Sequence, residues 1–93
     1  MNLQFEWDEE KDIINQVKHG ISFEDATKAF YDPNFYELYD GEHSLIENRW
    51  KGIGLAGGSV LTVCFTERNK VIRIISARKA KKKEEKEYLL WLW

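Results

Sequence analysis

The apolar positions of this chain follow two different periods, and the change between them divides it into a helical first third and a strand-rich remainder. Residues 3–7 alternate Leu, Phe and Trp with polar residues, the period of a half-buried strand. Asp8 then caps a helix with an acidic first turn, and Lys18, His19 and Gly20 close it. Ile13, Ile14 and Val17 are expected to form its buried stripe. Ser22 opens a second helix with Asp25 three residues on. Its residues Phe23, Ala26 and Phe30 face one way, and Asp32-Pro33 ends it.

The remainder reads as strands. Residues 35–39 form a short aromatic strand, and Asp40-Gly41 turns the chain. Residues 48–55 form a weaker strand, in which Gly52 and Gly54 predict a bulge that exchanges its faces. Gly57-Gly58 leads into residues 59–68, where Leu61, Val63 and Phe65 take one face and Thr62, Cys64, Thr66 and Arg68 the other. Asn69-Lys70 closes a hairpin into residues 71–78. There strict alternation puts Ile72, Ile74, Ser76 and Arg78 on one face, and Arg73, Ile75 and Ala77 on the other. From Ala80 to the end no Gly or Pro interrupts a helical stretch. The expected order is β-α-α-β-β-β-β-α, an α+β fold with helices packed on a largely antiparallel sheet, and 93 residues suit a single domain over 1–93.

Charge sharpens this picture. Residues 1–47 carry a local net of −9 and residues 48–93 a net of +7, so the formal total of −2 conceals a strong dipole. A basic lobe on an acidic protein suits a polyanion, whereas a Lys/Glu run taken alone reads as a solvated helix face. Arginines set into the apolar strand 71–78 favour the first reading, because a strand interior does not need them for solubility. The single Cys64 excludes an intrachain disulfide and a cysteine-based metal site, points to a reducing cytoplasm, and reads as a small buried hydrophobe. No apolar run reaches a membrane span, and the first residues have neither the basic start nor the apolar block of a signal peptide. Nothing in the pattern calls for a cofactor, and the two histidines lack the spacing of a metal signature.

Two segments are more specific than composition. KHGISFEDA in the helical third and RIISARKA in the last strand, set within FEWDEEKDIINQVKHGISFEDATKAFYDP, HSLIENRWKGIG and SVLTVCFTER, closely resemble the BrnT family. The resemblance covers nearly the whole chain. It implies a RelE-like ribonuclease fold and the toxin half of a type II toxin–antitoxin pair. It also implies a BrnA-like antitoxin with a ribbon-helix-helix domain that neutralises the toxin, operator DNA contacted only through that antitoxin, and room for a homodimer within the complex. Lys81 stands where such sequences commonly carry Thr, which removes an N-cap and sets Lys81, Lys82 and Lys83 at a helix start.

Metal-independent RNA cleavage by the 2′-hydroxyl needs groups that hold the phosphate, stabilise its charge and move two protons. Arg68, Arg73 and Arg78 lie on adjacent strands and suit the first two tasks, although Arg68 also reads as a plain turn residue. In a regular strand Arg73 and Arg78 point opposite ways, so both serve one phosphate only where the strand ends or twists near Ala77. His43 lies in a loop with Ser44 and Glu47 and is a candidate acid or base, with an inconsequential loop histidine as the alternative. Tyr88 reads as a proton donor, a base-stacking ring or a core residue. Arg49, Lys51, Lys79 and Lys81–Lys83 are candidate RNA-binding cations, and Trp50 is either a stacking platform or packing. His19 reads as a stabiliser of its helix end. Leu89, Leu90, Trp91, Leu92 and Trp93 cover nearly the full circumference of a short helix, which predicts a protein contact for part of it. The sequence therefore predicts an endoribonuclease toxin that cleaves RNA and inhibits growth. Two other readings stand beside it: a non-catalytic module of the same fold acting as antitoxin partner and corepressor, and a small structural protein with a solvated helix.

Overall fold

A computed structural model describes residues 2–92, with the side chain of Trp91 and residue Trp93 outside the described set. Five strands form one mixed sheet in the order β1-β5-β4-β3-β2. They are β1 (Phe5–Glu6), β2 (Tyr36–Tyr39), β3 (Trp50–Ala56), β4 (Ser59–Arg68) and β5 (Val71–Lys79). Three helices accompany them: α1 (Glu9–His19), α2 (Phe23–Thr27) and α3 (Lys82–Trp91). The pairings from β2 to β5 are antiparallel, and the two-residue β1 runs parallel to β5 with Phe5 opposite Ile72.

The punctuation read from sequence matches the local chemistry. Asp8 accepts the backbone N–H groups of Glu10 at 2.8 Å and Lys11 at 3.3 Å, and Gly20 ends α1 in the left-handed region at φ 71°. The Ser22 hydroxyl accepts the N–H of Asp25 at 3.0 Å. Asn69 and Lys70 both take positive φ, at 51° and 67°, which matches the right-handed twist of the β4–β5 hairpin.

One face of the sheet carries the main core. Leu61, Val63, Phe65, Ile72, Ile74 and Ala77 are buried there against Ile21, Phe23, Ala26 and Ala29. Phe30 joins this core through edge-on contacts with Phe5 at 5.2 Å and Phe65 at 5.0 Å. The opposite face is divided. α3 covers one part of it, where Ile53, Thr62 and Tyr88 are buried and the Thr62 hydroxyl donates to Glu84. The segment 40–49 crosses another part, tied down by a 2.6 Å bond from the Thr66 hydroxyl to the carbonyl of Asn48.

Three expectations need correction. First, Ile13, Ile14 and Val17 are exposed rather than buried, Val17 at 86%. The face of α1 that meets the sheet is polar. Asn15 is 5% exposed, and its side chain donates to the carbonyls of Ile21 and Ala77 at 2.8 Å each. It also accepts the Ala77 N–H at 3.1 Å. Its amide thus behaves as one residue of a further strand, satisfying the outer edge of β5 at Ala77.

Second, no bulge interrupts β3, which pairs regularly with β4 from Trp50 opposite Phe65 to Ala56 opposite Ser59. Gly52 and Gly54 serve close approach instead. A Cβ on Gly52 would sit 2.3 Å from Cζ of Phe35, and one on Gly54 would sit 2.5 Å from the carbonyl oxygen of Ala29. Gly54→Ala should therefore cost about 2 kcal/mol, since the obstructing atom is backbone, and chemical denaturation reads this directly. Unchanged stability would show that the helical segment yields.

Third, the irregularity lies between β4 and β5. Phe65 pairs with Ile74 while Cys64 pairs with Ser76, so Ile75 is an extra residue in β5. The bulge resets the side-chain alternation. Ala77 joins Ile72 and Ile74 in the core, and Arg78 joins Arg73 on the other face. The sequence reading had set these two arginines on opposite faces.

Candidate functional site

Because the bulge turns Arg78 outward, the uncovered part of the second sheet face becomes basic. A concavity of about 280 Å³ lies there, lined by Asp40, His43, Arg49, Lys51, Cys64, Ile75, Ser76 and Arg78. β3 supplies Lys51, β4 Cys64, and β5 Ile75, Ser76 and Arg78, while the crossing segment supplies the rest. A second hollow adjoins it, sharing His43 and Arg49 and adding Glu42, Leu45, Ile46, Glu47 and Arg68. Four of the candidates read from sequence, His43, Arg49, Lys51 and Arg78, thus meet in one place, with Arg68 next to them.

Each cation has a distinct setting. Arg78 is held by Glu84 in a two-pronged pair, Nη1 to Oε1 at 2.7 Å and Nη2 to Oε2 at 3.0 Å. Glu84 Oε1 also accepts the Lys81 N–H at 2.8 Å and the Thr62 hydroxyl at 3.1 Å. The Lys81 side chain has no acceptor to offer, so only this reciprocal half of a capping box forms at the start of α3. Arg78 therefore ties α3 to the sheet as well as charging the concavity. Arg78→Ala should lower stability because it strands a largely buried carboxylate, contrary to the simple expectation for a surface arginine.

Arg68 donates to Glu47 at 2.5 Å, and Arg49 Nε lies 3.9 Å from the same carboxylate. Hydrogen bonding to Arg68, with the nearby charges of Arg68, Arg49 and Arg73, holds the Glu47 carboxyl below its usual range. Arg73 itself pairs with Glu6 of β1 at 2.9 Å, on the same face but outside the linings of both hollows. Arg49 Nε is buried and makes no hydrogen bond among the described residues. Lys51 makes no ion pair among them. His43 is open to solvent at 60% side-chain exposure, and its Nδ1 lies 2.9 Å from Oδ2 of Asp40.

Other candidates lie elsewhere. Tyr88 is 3% exposed and donates its hydroxyl to Asp32; burial, followed by that bond and the Asp32 charge, pushes its pKa up to about 12. It is a core residue anchoring α3. Trp50 packs against the main core, edge-on to Tyr39 at 5.1 Å. Lys79 faces a hollow on the opposite side of the sheet with Ile21 and Lys28. Lys81, Lys82 and Lys83 are exposed at the start of α3 but line neither basic hollow. Cys64 is only partly buried and lines the concavity, which corrects its reading as a small buried hydrophobe. Sequence reasoning missed Asp40, Ser76 and Glu84 as members of this site. Asp40 carried the one readable signal, an acid three residues before a loop histidine.

Acid should loosen the α3 anchor. Burial works against ionisation of Glu84, but hydrogen bonds from Arg78, the Lys81 backbone and Thr62 outweigh it and bring its pKa to about 2. A carboxyl depressed in the folded state stabilises it fully above the ordinary value of 4.5, and that contribution is lost as pH falls through about 2. Discounted for solvent screening, the shift corresponds to about 1–2 kcal/mol in order of magnitude. Urea unfolding between pH 5 and pH 2 should show the native chain losing about 1–2 kcal/mol more than Glu84→Gln, whose acid limb is flatter by that amount. Parallel acid limbs would remove Glu84 from the account.

Comparison with curated proteins finds no match. A family model, described as the ribonuclease toxin BrnT of type II toxin–antitoxin systems, matches residues 7–84, a span that takes in both hollows and the Arg78–Glu84 pair. The chain belongs to the BrnT family of ribonuclease toxins, and membership in a type II system implies an antitoxin partner.

Proposed function

We propose that this protein is a metal-independent endoribonuclease whose reaction takes place in the concavity between α3 and the segment 40–49. The observation that carries the reading is the convergence of Arg49, Lys51 and Arg78 around an exposed histidine on a sheet face otherwise short of cover. Arg49 and Lys51 hold the non-bridging oxygens of the scissile phosphate. Arg78 adds positive charge from the floor while Glu84 fixes it, and Arg68 and Arg73 flank the path of the backbone. His43 Nε2 takes the proton of the 2′-hydroxyl, the 2′-oxygen attacks phosphorus, and the bond to the 5′-oxygen breaks. That oxygen takes a proton from solvent water, which leaves a 2′,3′-cyclic phosphate and a 5′-hydroxyl, and His43 returns its proton to solvent.

The fold would then be RelE-like, as the KHGISFEDA and RIISARKA segments suggest. The partner would be a BrnA-like ribbon-helix-helix antitoxin in the cytoplasm, contacting operator DNA on behalf of the complex. Exposed apolar residues on two helices suit such a partner or a second copy: Ile13, Ile14 and Val17 on α1, and Leu89, Leu90 and Leu92 towards the end of α3. In the same apolar tail, the side chain of Trp91 and residue Trp93 lie outside the described set.

The test uses the purified chain free of antitoxin, with EDTA present. It should degrade single-stranded RNA, and His43→Ala should slow this by roughly two orders of magnitude or more. RNA binding without turnover by the native chain would favour the non-catalytic corepressor reading.

A further inference from the structure

Asp40 occupies the N-cap position of the short 3-10 turn Gly41–His43, where an aspartate ordinarily accepts a backbone N–H. Its side chain makes no such bond. Oδ2 instead meets Nδ1 of His43 at 2.9 Å. We infer that Asp40 is a positioning residue for the ribonuclease reaction, holding His43 in the tautomer that leaves Nε2 free to take the 2′-hydroxyl proton; the inference rests on the function proposed above.

A carboxylate accepts hydrogen bonds and donates none, so a neutral His43 facing it carries its proton on Nδ1. The lone pair is then on Nε2. The same carboxylate stabilises the imidazolium formed once the proton has been taken. The two partners differ in exposure as this division of labour requires. The Asp40 side chain is 10% exposed and the His43 ring 60%, so the orienting group is anchored and the working group is open.

The backbone around Asp40 fixes it further. Its N–H donates to the carbonyl of Arg49 at 2.9 Å, and its carbonyl accepts the Ser44 hydroxyl at 2.5 Å. That hydroxyl in turn accepts the N–H of Arg49 at 2.9 Å. Asp40, Ser44 and Arg49 thus form one hydrogen-bonded unit that sets the imidazole and a phosphate-binding cation at a fixed spacing. The interaction is not a simple surface ion pair, because its acid is 10% exposed and its loop is tied on both sides.

Asp40→Asn tests this with little change of shape. The amide keeps the backbone bonds but can donate to an unprotonated Nδ1, which releases the tautomer. Nitrogen-15 spectra of the His43 ring should show the Nδ1–H form in the native chain and a shift towards Nε2–H in the variant. Cleavage of a defined RNA should fall roughly ten- to a hundredfold in kcat, with KM within about twofold. In a His43→Ala background the same change should have little further effect, since Asp40 acts through the ring. An Nε2–H tautomer in the native chain, native cleavage by Asp40→Asn, or an undiminished loss in the His43→Ala background would each overturn the inference. A native chain that does not cleave RNA would overturn the proposed function, and the inference with it.

Discussion

Replacing Arg49 with alanine lowers RNA cleavage by roughly two to three orders of magnitude and leaves the fold standing, as loss of a preorganised charge-stabilising donor generally does. The expectation comes from what Arg49 does not bond. Arg78 has both prongs on Glu84, Arg68 is on Glu47, and Arg73 is on Glu6. Arg49 approaches Glu47 no closer than 3.9 Å, and its buried Nε has no hydrogen-bond acceptor among the described residues. The Arg49 side chain is 36% exposed, so an incoming anion meets the exposed part of its guanidinium rather than the buried Nε. Its backbone bonds to Asp40 and Ser44 survive the substitution, so the loop keeps its path. Arg49→Lys should recover only part of the rate, because an ammonium cannot present two parallel donors to a phosphate. Single-turnover cleavage and a thermal melt of the same preparations check this. Near-native cleavage by Arg49→Ala would move the phosphate elsewhere, and a collapsed melt would make Arg49 structural.

Asn15→Ala should be the most damaging single change to stability among those considered, at about 3 kcal/mol. It leaves the Ala77 N–H and carbonyl and the Ile21 carbonyl buried without their partner. For a chain of this length that corresponds to a fall in Tm of roughly 12 °C or more. The exposed apolar residues of the same helix should behave oppositely. Val17→Ser, at a position 86% exposed, should change stability by less than about 0.5 kcal/mol in the isolated chain. Urea denaturation of both variants gives the comparison. A neutral Asn15→Ala together with a damaging Val17→Ser would mean that α1 sits on the sheet by its apolar stripe.

That reversal shows what a sequence pattern conveys here. Local signals were readable because their physics is local. Asp8, Ser22 and Gly20 mark helix ends through bonds spanning a few residues, and Asn69-Lys70 marks a turn through its own φ values. The alternation in β4 was readable because one face meets a continuous core. The face of α1 was not, since the partners of Asn15 include Ala77, 62 positions away. Periodicity then found an apolar stripe and assigned it to the interior, whereas in this chain that stripe is open to solvent.

The candidate site was legible as a set of residue types and not as a place. His43, Arg49, Lys51 and Arg78 were singled out by charge and context, and they do converge. What brings Arg78 to them is the extra residue Ile75, and no glycine or proline marks that bulge in the sequence. Glu84, Glu47 and Glu6, which occupy three of the arginines, come from elements that no spacing rule connects to them. Tyr88 and Trp50 resembled nucleic-acid contacts because aromatic residues serve stacking and packing equally well. Burial, which alone separates these roles, belongs to the folded chain.

The most direct measurement uses an RNA cut by the purified, antitoxin-free protein in EDTA, with the products' ends identified. The same RNA is then made with a single 2′-deoxynucleotide on the 5′ side of the cleaved phosphate. The native substrate should end in a 2′,3′-cyclic phosphate, and the substituted one should not be cut at that phosphate. Equal cleavage of both substrates, or products ending in a 3′-hydroxyl, would rule out attack by the 2′-hydroxyl.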